Sequence, residues 1–242
     1  MKKISSVWAL AARSTLFKLA GLLAGMALLE LGLFLRVLYG APDGQLPLLE
    51  NAFEQSRVQL AAAAAFAALC ALLSLVGCER GGVKTRYTLQ RLQVHERPLA
   101  LLWAAHHTLC LVVFWAAQLA VAFGLCGLYT ALAPAGWQNG QTVLLAFYRS
   151  SFLHSLLPLA ESSRWLCGAV LAVALGLAAS CFSFHQRHGR RSVSVVVLGV
   201  LTLVGFARPM GSFGMDMFLF LAALGTIGYS VYSILWGNGN ED

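Results

Sequence analysis

Glu30 is an acidic residue set inside a long apolar run. It follows Ala27-Leu28-Leu29 and precedes Leu31-Gly32-Leu33. A carboxyl at that depth is costly unless it faces protein or water. Two readings follow: a group on a substrate or proton path, or a protonated or hydrogen-bonded packing residue. Arg36 lies six residues on, off the face that an i, i+4 partner would occupy. His106 and His107 form the second candidate, an adjacent pair in another apolar run. Two histidines hold a b-type haem only from facing helices at matching depth. His185 sits at the inner end of a later run, His154 on the outer side, and His95 and His188 in inner loops. None matches the depth of the pair. The plainer reading is a polar pair that bonds to a neighbouring helix or lines a hydrated cavity.

Other chemistries fail on spacing. Gly77 to Thr85 reads G-C-E-R-G-G-V-K-T, and Val83 stands where a phosphate loop needs glycine before Lys84-Thr85. The six cysteines are Cys70, Cys78, Cys110, Cys126, Cys167 and Cys181. None forms a C-x-x-C pair, so neither a zinc site nor a disulfide framework is expected, and they read as small packing residues. No hydrolase or metalloprotease motif stands in a suitable context; Ser155 beside His154 is one neighbour pair among many. The chain is therefore expected to be no enzyme and to hold no cofactor or metal of its own. Asp216 and Arg208 flank a turn and read as structural charges.

Such residues must be held by elements that live in lipid. Of 242 residues, 59% are hydrophobic and 11% charged. Mean hydropathy is +0.72. A soluble domain carries about 25% charged residues, so composition excludes one, and no basic soluble face is present for nucleic acid. The fold class is all-α: a polytopic membrane helical bundle of about six transmembrane helices, one domain over 1–242. Residues 4–14 are amphipathic, with Trp8 and Arg13, and read as an interfacial helix rather than a cleavable signal. Spans are expected at about 15–38, 57–77, 98–124, 163–183, 193–207 and 215–236. The run Pro98 to Ala133 carries no formal charge and reads as one long helix leaving the membrane near Gly124 or Gly127. Residues 134–161, broken by Arg149, His154 and Pro158, read as an outer interfacial or re-entrant segment.

The charges set the orientation. With the N-terminus inside, inner segments hold 12 of the 17 basic residues. That asymmetry places both termini in the cytoplasm of a cell-membrane protein. Gly21 and Gly25, with Gly225 and Gly228, give small-residue faces suited to close helix packing within or between subunits.

The most structured polar segment is the inner loop 78–97, which contains Arg86-Tyr87-Thr88-Leu89-Gln90-Arg91-Leu92-Gln93-Val94-His95-Glu96-Arg97. Leu89 and Leu92, three apart, give a short helix one apolar edge for a membrane surface or a partner. An ordinary solvated basic loop is the equal alternative. The chain as a whole resembles the permease subunits of six-span ATP-binding-cassette exporters. The resemblance rests on the amphipathic start, the six spans with both ends inside, the lack of a nucleotide motif, and Thr88, Leu89, Leu92, Val94 and Arg97. Gln93 stands where that family has proline, and His95-Glu96 where it has serine and its neighbour. The large outer element also lies earlier in the chain than is usual there. The resemblance implies a coupling segment at Arg86, Leu89, Arg91, Leu92, Val94 and Arg97 docking on a cytoplasmic ATPase subunit. It also implies a second permease subunit and a substrate path, for which Glu30, His106 and His107 are the candidates. Two other classes remain open: the membrane anchor of a haem or quinol redox complex, and a membrane scaffold without transport.

Overall fold

The structure is a computed structural model that describes residues 2–40, 46–76, 96–133, 140–159, 161–187, 192–206 and 212–236. Nine helices lie among the described residues, with no strand: α1 (Lys2–Tyr39), α2 (Leu49–Ser56), α3 (Val58–Leu75), α4 (Glu96–Leu132), α5 (Gly140–Arg149), α6 (Ser151–Leu156), α7 (Ser162–Arg187), α8 (Ser194–Val204) and α9 (Phe213–Trp236). Five segments are long and apolar enough to cross a membrane: Ala11–Tyr39, Val58–Leu75, Arg97–Leu132, Ser162–Gln186 and Phe213–Trp236. The protein is an all-α, multi-pass membrane bundle. In lipid only a helix satisfies its own backbone, which is why these runs take that form.

Five of the about six expected spans have full-length counterparts. The run expected at 193–207 forms α8, of 11 residues. At 1.5 Å per residue that is about 16 Å, roughly half a bilayer core. Arg191 and Arg208 bound the apolar run, and the helix stops at Gly205. The segment runs from the central core to one end of the bundle. Val195 joins the central core, whereas Phe206 meets Phe152 at the far end. Two other outlines also differ. Residues 4–14 and 15–38 are one continuous α1, since no proline or glycine interrupts the chain before Gly21. Likewise α4 continues past Gly124 and Gly127 to Leu132 because Leu125, Cys126 and Tyr129 find buried contacts there.

The helices share two ends. At the first, Ala11 of α1 packs with Val76, Leu99 and Trp103, and Ala100 packs with Cys181, Phe184 and Ile234. The start of α1 and the finish of α9 therefore lie at the same end. At the second end, α2, α5 and α6 form a cap. Phe34 meets Phe53 at 5.0 Å between ring centroids, and Phe123 meets Phe147 at 5.1 Å. The Tyr129 hydroxyl donates to the Pro47 carbonyl at 2.7 Å. A sharp turn lets α2 lie against α1 and α3: Arg57 takes φ 54°, ψ 28°, a left-handed conformation that stops α2 and starts α3.

The hub is α7. It packs most extensively on α4 and α9. Its sequence is rich in small residues, and Ala174, Ala178, Ser180 and Cys181 are fully buried. Gly176 marks the tightest approach. A methyl there would press on the Thr108 side chain, lie 2.8 Å from the Thr108 backbone nitrogen and 2.9 Å from the Ala104 carbonyl oxygen. Four residues on, Ser180 Oγ donates to the Ala100 carbonyl at 2.6 Å. By contrast, Gly21, Gly25, Gly225 and Gly228 are exposed with open space around them. Gly176→Ala should therefore destabilise the bundle by about 1–3 kcal/mol, because backbone atoms cannot yield as a flexible side chain can. Gly25→Ala should leave thermal unfolding in detergent unchanged, and equal melting temperatures for the two variants would refute this account of the α4–α7 contact.

Candidate functional site

From that contact toward the second end, side chains of α4 and α7 line a cavity of about 600 Å³, closed by α3, α6, α8 and Leu219 of α9. Its walls are mostly apolar, with Phe66, Leu111, Phe114, Leu171 and Leu175 among them. Three lining residues, Leu60, Val112 and Trp165, are also exposed on the outside of the bundle, at 58%, 45% and 45%. The cavity wall is therefore shared with the outer side surface of the bundle. Two indoles frame it. Trp115 donates to the Leu156 carbonyl at 3.0 Å and Trp165 to the Pro158 carbonyl at 2.8 Å. Their rings meet edge to face, 5.6 Å apart. Each indole N–H is thus spent on the segment that caps the cavity, a use suited to aromatic rings with one polar atom.

The polar exceptions in the wall carry the chemistry. Gln118 of α4 is 2% exposed, and its Nε2 donates to Glu30 Oε2 at 2.9 Å. Glu30 is wholly buried against α4. That bond turns the amide, and Gln118 Oε1 is left buried with no hydrogen-bond partner. Ser155 Oγ, also in the wall, has none either. A buried acceptor without a donor calls for an explanation, and one in a cavity wall is available to a polar group bound there. Arg164 lines the far side of the cavity. Its guanidinium pairs with Glu161, stands 3.9 Å from Asp216, and donates to Ser212 Oγ at 3.3 Å. His154 lies 3.8 Å from Glu161. Asp216 is thus matched across helices by Arg164; Arg208 lies outside the described residues.

The histidines occupy a different place. His106 Nε2 bonds to Thr15 Oγ1 at 2.9 Å, and the Trp8 ring meets the imidazole edge-on at 5.6 Å. His107 is fully buried between Trp103 and the Gly176 backbone of α7. Gln118 is twelve residues beyond His106, about 18 Å along α4. Glu30 therefore reaches the cavity only through Gln118, and the histidine pair does not reach it. His185 bonds to Ser233 Oγ at 2.7 Å and lies nine residues beyond Gly176, about 13 Å along α7. Among the described residues no histidine faces His106 or His107 at its own depth, and no cluster of three metal-ligating side chains is present. Arg97 is exposed in the first turn of α4. Arg86, Leu89, Arg91, Leu92 and Val94 lie outside the described residues.

Sequence reasoning passed over Gln118. The available signal was a single amide within the uncharged run 98–133, which a search for formal charges ignores. No family model, curated protein or solved structure matches this chain. The resemblance to exporter permeases stands on the residues quoted for it above.

Gln118→Leu strands the Glu30 carboxyl, and should cost about 1–3 kcal/mol in chemical unfolding. The double variant Glu30→Leu, Gln118→Leu removes both partners and should recover most of that loss. If the double variant is as unstable as the sum of the two single ones, the pair is not coupled. Arg164→Met leaves Glu161 and Asp216 without their shared cation; breaking a buried ion pair this way should cost about 3–5 kcal/mol by the same assay.

Proposed function

We propose that this chain is the permease subunit of an ATP-driven exporter of the ATP-binding-cassette type, in the cell membrane, and that its substrate enters the cavity from the bilayer. The observation that carries the reading is the cavity itself: a mostly apolar chamber at membrane depth, sharing its wall with the outer side surface of the bundle, with Gln118 among its lining residues. A structural anchor or scaffold has no need of such a chamber. Small-molecule sites are concave, mainly apolar and set with a few placed polar groups, at roughly 300–1,000 Å³.

The positive-inside pattern puts the first end of the bundle in the cytoplasm. The loop 78–97 joins the finish of α3 to the start of α4 at that end. It is the natural docking segment for a separate ATPase, through Arg86, Leu89, Arg91, Leu92, Val94 and Arg97. Motion there would reach the cavity through α4, which lines it from Leu111 to Gln118. A second permease subunit would complete the path, and the exposed faces of α1 and α9 around Gly25 and Gly225 are free to meet it.

The test is purification of the tagged protein in mild detergent. A stoichiometric ATPase should co-purify, and Leu89→Asp, Leu92→Asp, Val94→Asp together should release it without unfolding the bundle. A preparation that absorbs in the Soret region and carries an iron–sulfur or molybdenum subunit would overturn the proposal in favour of a redox anchor. A stable, folded protein that binds no ATPase under any mild extraction would overturn it in favour of a scaffold.

A further inference from the structure

We infer that the cavity binds a neutral single-chain amphiphile whose headgroup donates a hydrogen bond, a long-chain alcohol in its simplest form, and that Gln118 Oε1 is the acceptor that selects it. This inference rests on the permease reading for its physiological role and on the cavity alone for its chemistry.

Four observations converge. The walls are mostly apolar, with Gln59, Gln118, Ser155, Arg164 and Thr202 the polar lining residues, so the ligand body is hydrocarbon. Leu60, Val112 and Trp165 line the cavity and are also exposed on the outer side surface at membrane depth, so the ligand arrives from the bilayer and not from water. The charge of Arg164 is already answered by Glu161 and Asp216, so the wall asks for no anionic headgroup. Lastly, Gln118 Oε1 is buried and unpaired because Nε2 is held by Glu30. With Nε2 held by Glu30, the atom of the amide left without a partner is its carbonyl oxygen. An acceptor in an apolar wall rewards a ligand hydroxyl and gives nothing to an ether or an alkane. Ser155 Oγ, in the same wall, either donates or accepts and can serve the same hydroxyl. Glu30 is a positioning residue in this scheme: it orients Gln118 and does not line the cavity. The cavity, about 600 Å³, falls within the roughly 300–1,000 Å³ of small-molecule sites and has room for such a chain.

Trp115 and Trp165 in the wall provide the readout. The detergent-purified full chain is titrated with a dibrominated eighteen-carbon alcohol, and separately with its methyl ether, while tryptophan fluorescence is followed. Bromine quenches an indole at contact, and Trp115→Phe, Trp165→Phe identifies the quenching that belongs to the cavity. The alcohol should quench saturably and bind about tenfold more tightly than the ether, as one buried neutral hydrogen bond implies. In the double variant Glu30→Leu, Gln118→Leu that preference should fall severalfold, to what Ser155 alone supports, while ether binding is retained. Equal binding of alcohol and ether by the wild-type protein, or equal loss of both in the double variant, overturns the inference while leaving an apolar substrate site intact. Absence of cavity-specific quenching by either probe overturns the inference and removes the support that the cavity gives to the permease reading. Co-purification of the ATPase tests that reading separately.

Discussion

The structure depends on how closely α4 and α7 approach at Gly176. Lipid tails are as apolar as leucine, so no hydrophobic force presses two helices together inside a bilayer. Contact must come from packing and from polar atoms that meet. The small residues of α7 supply the first, and Ser180, bonded to the Ala100 carbonyl, supplies the second. Toward the other end the two helices face the cavity, and Trp115 and Trp165 meet there and hold the segment around Leu156 and Pro158. The cavity thus lies between a tight backbone contact and a pair of bulky indoles.

Polar atoms inside the bundle fall into two kinds. Thr108, Thr202 and Thr226 fold back on carbonyls four residues earlier in their own helices. They satisfy themselves and specify nothing. The others reach across: Thr15 to His106, Gln118 to Glu30, His185 to Ser233. Each cross-link joins a given depth on one helix to a given depth on another. Together they set the vertical register of α1 against α4 and of α7 against α9, which apolar side chains alone would leave free to slide.

The all-helical membrane fold was legible because hydropathy reports which stretches enter lipid. The short α8 was harder to see. Its run is as apolar as the others, and only the closeness of Arg191 and Arg208 argued for a shorter helix. Glu30 stood out because an ionisable residue in lipid is rare, and the structure shows it fully buried. Its partner did not stand out, since hydropathy says nothing about which face of α1 meets which face of α4. The cavity was illegible for a related reason. It is bounded by residues from six helices and by a loop proline, and no single segment carries a trace of an enclosed space.

The pairing of Glu30 with Gln118 spans 88 positions in the chain. At ribosomal speeds of about 5–20 residues per second, α1 is made roughly 4–18 s before its partner on α4 exists. During that interval the nascent first helix holds a carboxyl with nothing to answer it. The protein that inserts this chain must therefore shelter α1 in a polar or hydrated site, or the helix must wait at the membrane surface. Biogenesis is complete only when the fourth helix arrives to close the bond.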